Sequence, residues 1–172
     1  MLRLLDKNDF DKVYKIMEKS FPADEYRPFD EQKALFEKDE YKVYICEDNG
    51  DIKGFIALWE FTNLVYIEHF AVSPSCRNCG IGSDMLRQVT ASAKKLVCLE
   101  VEPPNEDISI RRIGFYERNG FYLSNYPYMQ PAISEGRRPV PLRIMTFGKK
   151  IDRLTFNDIK YMLYTNVYNI SN

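Results

Sequence analysis

Along the chain the spacing of apolar residues changes period several times, and each change predicts an element. Leu2, Leu4 and Leu5 read as a short strand, and behind Asp6 or Asn8 as a cap, Phe10, Val13, Ile16 and Met17 recur at helical spacing. Phe21-Pro22 stops that helix, a loop from Ala23 to Pro28 looks mobile, and residues 29–38 form a second, short amphipathic helix. Tyr41 to Glu47 alternates apolar and polar residues, Asn49-Gly50 supplies a turn, and Ile52 to Phe61 returns as the second arm of a hairpin. Leu64 to Val72 is apolar or aromatic almost throughout, as expected of a strand buried on both faces. A helix over Ser83 to Lys95 and a buried strand over Leu96 to Val101 complete a βαβ unit. Beyond Pro103-Pro104, Asp107 to Asn119 is helical, with Gly120 where a left-handed residue would end it. Phe121 to Met129 and Val140 to Phe147 read as two further strands, and Leu154 to Tyr168 as a last helix. Strands before and after the βαβ unit make the expected α/β sheet mixed rather than purely parallel.

Composition narrows what such a fold could do. The 172 residues carry 24 Lys+Arg and 25 Asp+Glu, a formal net charge of −1, which disfavours a nucleic-acid binder that neutralises phosphates. No apolar run approaches the roughly 20 residues that cross a bilayer, and the first residues are charged too early for a secretory leader, so no membrane partner and a cytoplasmic location are expected. Without repeats or a linker, one domain over residues 1–172 is the working assumption. Cys46, Cys76, Cys79 and Cys98 read as thiols, and with His69 the only histidine, no metal site is expected despite the C-x-x-C spacing of Cys76 and Cys79.

The candidate chemistry concentrates in Arg77-Asn78-Cys79-Gly80-Ile81-Gly82, after a buried strand and before a helix. Glycines allow a tight turn and close backbone approach, the amides opening the helix bind anions, and Arg77 adds positive charge. A plain strand-to-helix turn is the competing reading. The stretch is not a dinucleotide turn, which needs G-x-G-x-x-G where this chain has Met85, nor a P-loop, since Ser83-Asp84 follows Gly82.

Phe70-Ala71-Val72-Ser73-Pro74 through Gly82 resembles the acetyl-CoA loop of the GCN5-related N-acetyltransferase (GNAT) superfamily, whose pattern is Q/R-x-x-G-x-G/A. Ile113-Gly114-Phe115-Tyr116-Glu117-Arg118-Asn119-Gly120-Phe121 resembles the family's helix ending in Tyr-Glu-x-x-Gly-Phe, and the element order agrees over roughly residues 1–148, leaving the helix at about 154–168 outside. The resemblance implies a mostly antiparallel mixed sheet with helices on both faces, and acetyl-CoA as co-substrate. It further implies that Arg77, Asn78, Cys79, Gly80, Ile81, Gly82 and Ser83 hold the pyrophosphate. Phe70, Ala71 and Val72 would pair with the pantetheine arm, with an amide near Ala71 or Val72 donating to the developing oxyanion. Tyr116 matches the family's tyrosine and is the candidate acid for the leaving thiolate, against an alternative as a packed aromatic.

An ammonium must lose a proton before it attacks, which calls for a base. Glu68 interrupts an apolar strand and is the first candidate, as base or substrate anchor; Glu100, in Leu99-Glu100-Val101, is the second. Either could instead be an ion-pair partner of Arg111, Arg112 or His69. Two departures from the family pattern stand out. Ser109 occupies the position seven residues before the tyrosine where many members have Asn, leaving Asn105 as the nearest substitute for a pantetheine contact, and Arg112 stands where a small residue is common. The resemblance places Glu25, Tyr26 and Arg27, with the segment Tyr126 to Arg138, on the acceptor side. The expected function is acetyl transfer to a primary amine of a small molecule or peptide. A non-catalytic acyl-CoA-binding module is the alternative, and a homodimer through the stripe Phe156, Ile159, Met162, Leu163 and Val167 is a further reading.

Overall fold

The computed structural model describes residues 1–170, which cluster into two compact units, Met1–Val97 and the residues from Cys98 onward. The architecture is mixed α/β, with a mostly antiparallel sheet and, among the described residues, five α-helices.

The first unit contains β1 (Leu2–Leu4), α1 (Phe10–Ser20), α2 (Phe29–Ala34), β2 (Tyr41–Asp48), β3 (Asp51–Glu60), β4 (Leu64–Val72) and α3 (Ile81–Ser92). Its strands β1 to β4 pair consecutively and antiparallel. α1 buries Phe10, Val13 and Met17 of the stripe that its helical spacing predicts, with Tyr14 on the inner face and Ile16 only half-buried. The hairpin turns at Asn49 and Gly50, both at positive φ (52° and 84°), the backbone that a two-residue turn needs between right-twisted strands. The helix expected over 29–38 is shorter, its last turn tightening into a 3-10 turn at Leu35–Glu37. The ladder between β3 and β4 matters most for the site. Ala57 stands opposite His69 but Leu58 stands opposite Ile67, so Glu68 is an extra residue, a bulge that re-aims its side chain.

The second unit contains β5, whose Leu96–Val101 straddles the divide, then α4 (Asp107–Arg118), β6 (Phe121–Leu123), β7 (Tyr128–Gln130), β8 (Val140–Phe147) and α5 (Arg153–Asn166). β8 pairs antiparallel with β5, β6 and β7. The single strand expected over Phe121 to Met129 is therefore two. Ser124 N–H still reaches Ile144 O (2.9 Å), but the Ser124 hydroxyl then accepts from Tyr126 N–H (3.2 Å) and Pro127 has no N–H to give. Asp152 caps α5 by accepting from Thr155 N–H (2.8 Å), and the helix buries Phe156, Ile159 and Leu163. With Val167 buried as well, most of the stripe considered for a dimer is covered by its own chain.

Candidate active site

After β4, Pro74–Cys76 forms a 3-10 turn, Asn78 and Gly80 take positive φ (63° and 80°), and α3 begins at Ile81. The first bond of α3 runs from Asp84 N–H to Gly80 O (3.0 Å), so the amides of Ile81, Gly82 and Ser83 precede the helical ladder at its positive end. No side chain caps this end, and a Cβ placed on Gly80 would meet nothing within 4 Å. The glycine is there for its backbone conformation and leaves an open approach. Arg77, Asn78, Cys79 and Gly80 are in the turn itself, and Arg77 Nε donates to Val72 O (3.3 Å), holding the arginine across the end of β4. Phe70 and Val72 are half-buried and Ala71 is buried. The turn has the chemistry of an anion cradle.

Glu68 lies at the centre of a buried polar cluster. Its Oε1 accepts from Arg27 Nη1 at 2.8 Å and its Oε2 from Trp59 Nε1 at 3.2 Å, and the Arg27 and Glu68 side chains are only 6% and 2% exposed. Burial alone would raise the Glu68 pKa, but the Arg27 guanidinium, with the Trp59 hydrogen bond, carries it below the usual carboxylate value. His69 Nε2 lies 2.8 Å from Glu25 O, and a carbonyl can only accept, so Nε2 carries the proton and Nδ1 is a bare acceptor. Nδ1 has no hydrogen-bond partner and faces Glu68 Oε2 at 3.7 Å. Burial holds His69 below its ordinary pKa against the pull of Glu68, and the ring is neutral at pH 7.

The same cluster fixes the segment read as a mobile loop. It contains a 3-10 turn at Ala23–Glu25, Tyr14 Oη donates to Arg27 O (3.1 Å), and Arg27 N–H donates to Gln32 Oε1 (3.2 Å). Tyr26 is buried with its ring edge-on to Tyr14 at 5.8 Å. Glu25 contributes its carbonyl to His69, and Arg27 is a buried partner of Glu68; of the partners that the sequence suggested, His69 lies against Glu68 at 3.7 Å and Arg112 is paired with Glu102 instead.

In the second unit, Tyr116 lies on the buried face of α4, in ring contact with Phe115 (5.4 Å) and Phe121 (5.8 Å). Burial pushes its pKa up to about 12 against the lowering charge of Arg112, so the hydroxyl keeps its proton at neutral pH. Ser109 is committed to the helix start, its hydroxyl donating to Glu106 O (2.8 Å) and accepting from Glu106 N–H (3.2 Å). Asn105 is exposed in the turn before α4, and Arg112 pairs with Glu102 at 2.6 Å, which accounts for its charge. Glu100 accepts from Tyr168 Oη through both oxygens, at 3.1 and 2.9 Å.

Sequence reasoning missed Arg27, Trp59 and Tyr168 as carboxylate partners. The one available signal was the pairing of opposite charges in apolar surroundings, Arg27 between Tyr26 and Pro28 and Glu68 within β4. Among the described residues no cluster of His, Cys, Asp and Glu could hold a metal ion, and no helix is long and apolar enough to cross a membrane.

Comparison with known proteins bears on this geometry. No curated protein sequence matches the chain. The model of the Acetyltransferase (GNAT) family matches residues 10–121. A solved structure from Bacteroides thetaiotaomicron, described as a GNAT-family acetyltransferase, is 32% identical, covers 99% of each chain and superposes with a TM-score of 0.87. An acetyltransferase structure from Salmonella typhimurium, solved with its cofactor acetyl-CoA, is similar in fold: TM-score 0.63 at 20% identity, over 88% of this chain and 95% of that one. A point mutant of spermidine N-acetyltransferase from Vibrio cholerae gives 0.62 at 18% identity, over 86% and 94%. With a family model spanning most of its length and a full-length structural relative above 30% identity, the chain belongs to the GNAT acetyltransferase family.

Proposed function

We propose that the chain is a single acetyltransferase domain that moves the acetyl group of acetyl-CoA to a primary amine by direct attack, with no acyl-enzyme intermediate. The observation that carries this reading is the turn after β4, where a left-handed Gly80 opens onto the three amides that precede the α3 ladder. Such a turn fits a diphosphate: it offers several N–H donors and the positive helix end, with no Cβ in the approach. Phe70, Ala71 and Val72 would hold the pantetheine arm by backbone pairing, and an amide at Ala71 or Val72 would donate to the developing oxyanion. Asn105 remains the proposed side-chain contact to that arm, because Ser109 is used in the helix cap.

The amine nitrogen attacks the thioester carbon, the C–N bond forms and the C–S bond breaks. The ammonium gives up two protons in all, the departing sulfur takes one, and one is released. Tyr116 would supply the proton at sulfur. A phenol held near pKa 12 is a weaker acid than a thiol of about 8.5, so it acts by donating a hydrogen bond as charge builds on sulfur and regains any proton it gives. Glu68, depressed in pKa and held by Arg27 and Trp59, would fix the Ala23 to Pro28 segment, and Glu100 becomes the leading carboxylate on the amine side. Glu25, Tyr26 and Arg27 would border the acceptor, a small amine or a peptide amine. Titrating CoA into wild-type protein and Gly80→Val by calorimetry tests the reading: loss of binding in a folded variant supports it, and equal affinity overturns it.

A further inference from the structure

α5 lies beyond the residues matched to the family, 10–121, and beyond the stretch that the element order explains. Its end is nevertheless tied to a carboxylate of the β-sheet. Tyr168, just past the helix and 8% exposed, donates through its hydroxyl to Glu100 on β5. One turn earlier, Tyr164 Oη donates to Met129 O on β7 at 2.5 Å. Next to that residue, the Tyr128 hydroxyl is sealed from solvent and meets no partner in full hydrogen-bonding geometry, although Glu100 is placed to accept a loose hydrogen bond from it and Tyr164 and Tyr168 act on it electrostatically. The rings stand in series, Tyr128 to Tyr164 at 6.0 Å and Tyr164 to Tyr168 at 6.5 Å.

Two features that had no reason to meet in sequence therefore meet in space: the carboxylate singled out on β5, and the segment from Tyr126 onward. We infer that Glu100, Tyr128 and Tyr168 form a subsite for the ammonium group of the acceptor, built in part by the C-terminal helix. The inference rests on the acetyl-transfer reading and adds to it the charge of the acceptor and the residues that read it. A carboxylate favours a cation over an anion or a neutral group, and the tyrosine hydroxyls beside it add oxygens able to accept from an N–H. Tyr168 orients the carboxylate. Tyr128 adds a hydroxyl oxygen able to accept from an ammonium N–H. Burial first, and then the charge of Glu100, push the Tyr128 pKa far up, so it stays protonated and serves by hydrogen bonding rather than as a base.

The test uses the full chain with acetyl-CoA and three probe amines, butylamine, 2-phenylethylamine and alaninamide, following thiol release. Glu100→Gln is expected to raise the amine KM by roughly 10- to 100-fold, the range for a charged hydrogen bond, and Tyr128→Phe and Tyr168→Phe by about 3- to 10-fold each. The acetyl-CoA KM should hold, and the variants should stay folded with a melting temperature lowered by only a few degrees. Tyr161→Phe, exposed on the same helix, is the control and should change neither KM. Amine KM values unchanged in the folded variants overturn the inference, and so does a parallel rise in both KM values, which marks a merely structural tie. Ring resonances of Tyr128 followed by NMR on adding butylammonium separate this from the acetyl-transfer reading. A shift without any thiol release keeps the subsite and sinks the transfer; thiol release with no shift does the reverse.

Discussion

Replacing Glu68 by Gln keeps the shape of the side chain and removes its charge, leaving the Arg27 guanidinium at 6% exposure without its carboxylate. Removing one member of a buried pair costs about 3–5 kcal/mol, because the remaining charge is neither solvated nor matched. At about 2–4 °C per kcal/mol for a chain of this length, the melting temperature at pH 7 should fall by roughly 6–20 °C. A double variant, Arg27→Met with Glu68→Leu, should lose much less than the sum of the two single variants, since neither charge is then left buried. The gap between wild type and E68Q should also depend on pH. A carboxylate held below its ordinary pKa stabilises the fold above the unfolded value, about 4.3, and that contribution fades as pH falls through the folded value. His69 acts in the same direction but earlier. It resists protonation in the fold, whereas the unfolded chain takes a proton below about 6.5, so wild-type stability should begin to decline from there. Thermal melts followed by circular dichroism from pH 3 to 8 read all four effects. A pH 7 melt of E68Q within about 2 °C of wild type would refute the placement of Glu68 as a buried, charged partner of Arg27.

Three further outcomes follow from the geometry. Gly80→Val forces a β-branched residue to φ 80° at a cost of about 1–2 kcal/mol in the turn and crowds the anion approach, so CoA affinity by calorimetry should drop while the far-UV spectrum stays native. Tyr116→Phe should lower kcat by roughly 100-fold with acetyl-CoA affinity kept, whereas equal turnover at every pH returns Tyr116 to a packing role. Gly120→Ala places a Cβ 2.9 Å from Phe147 Cε2 at φ 85°, so the variant should melt lower, and an unchanged melt would show that Phe147 simply moves aside.

What the sequence made legible was local. β4 and β5 begin and end where their apolar runs do, and the Asn49-Gly50 hairpin follows from turn chemistry alone. α3 starts two residues before its expected Ser83 because a left-handed Gly80, rather than a side-chain cap, begins it. The glycine motif thus marked a place without marking the helix start. The charged contacts were another matter. Arg27 and Glu68 are 41 residues apart and Glu100 and Tyr168 are 68 apart, and only the folded chain selects such partners among the many charges available. The bulge that turns Glu68 inward is a property of the β3–β4 register, which no single strand's pattern records.

The most direct measurement of the central claim is a joint assay of both products: wild-type protein with acetyl-CoA and the three amines, counting free thiol and acetylated amine in the same samples. The two products should appear in equal amounts, depend on the amine, and collapse in Tyr116→Phe. CoA binding without either product would contradict that claim and leave a domain that holds the acyl donor but transfers nothing.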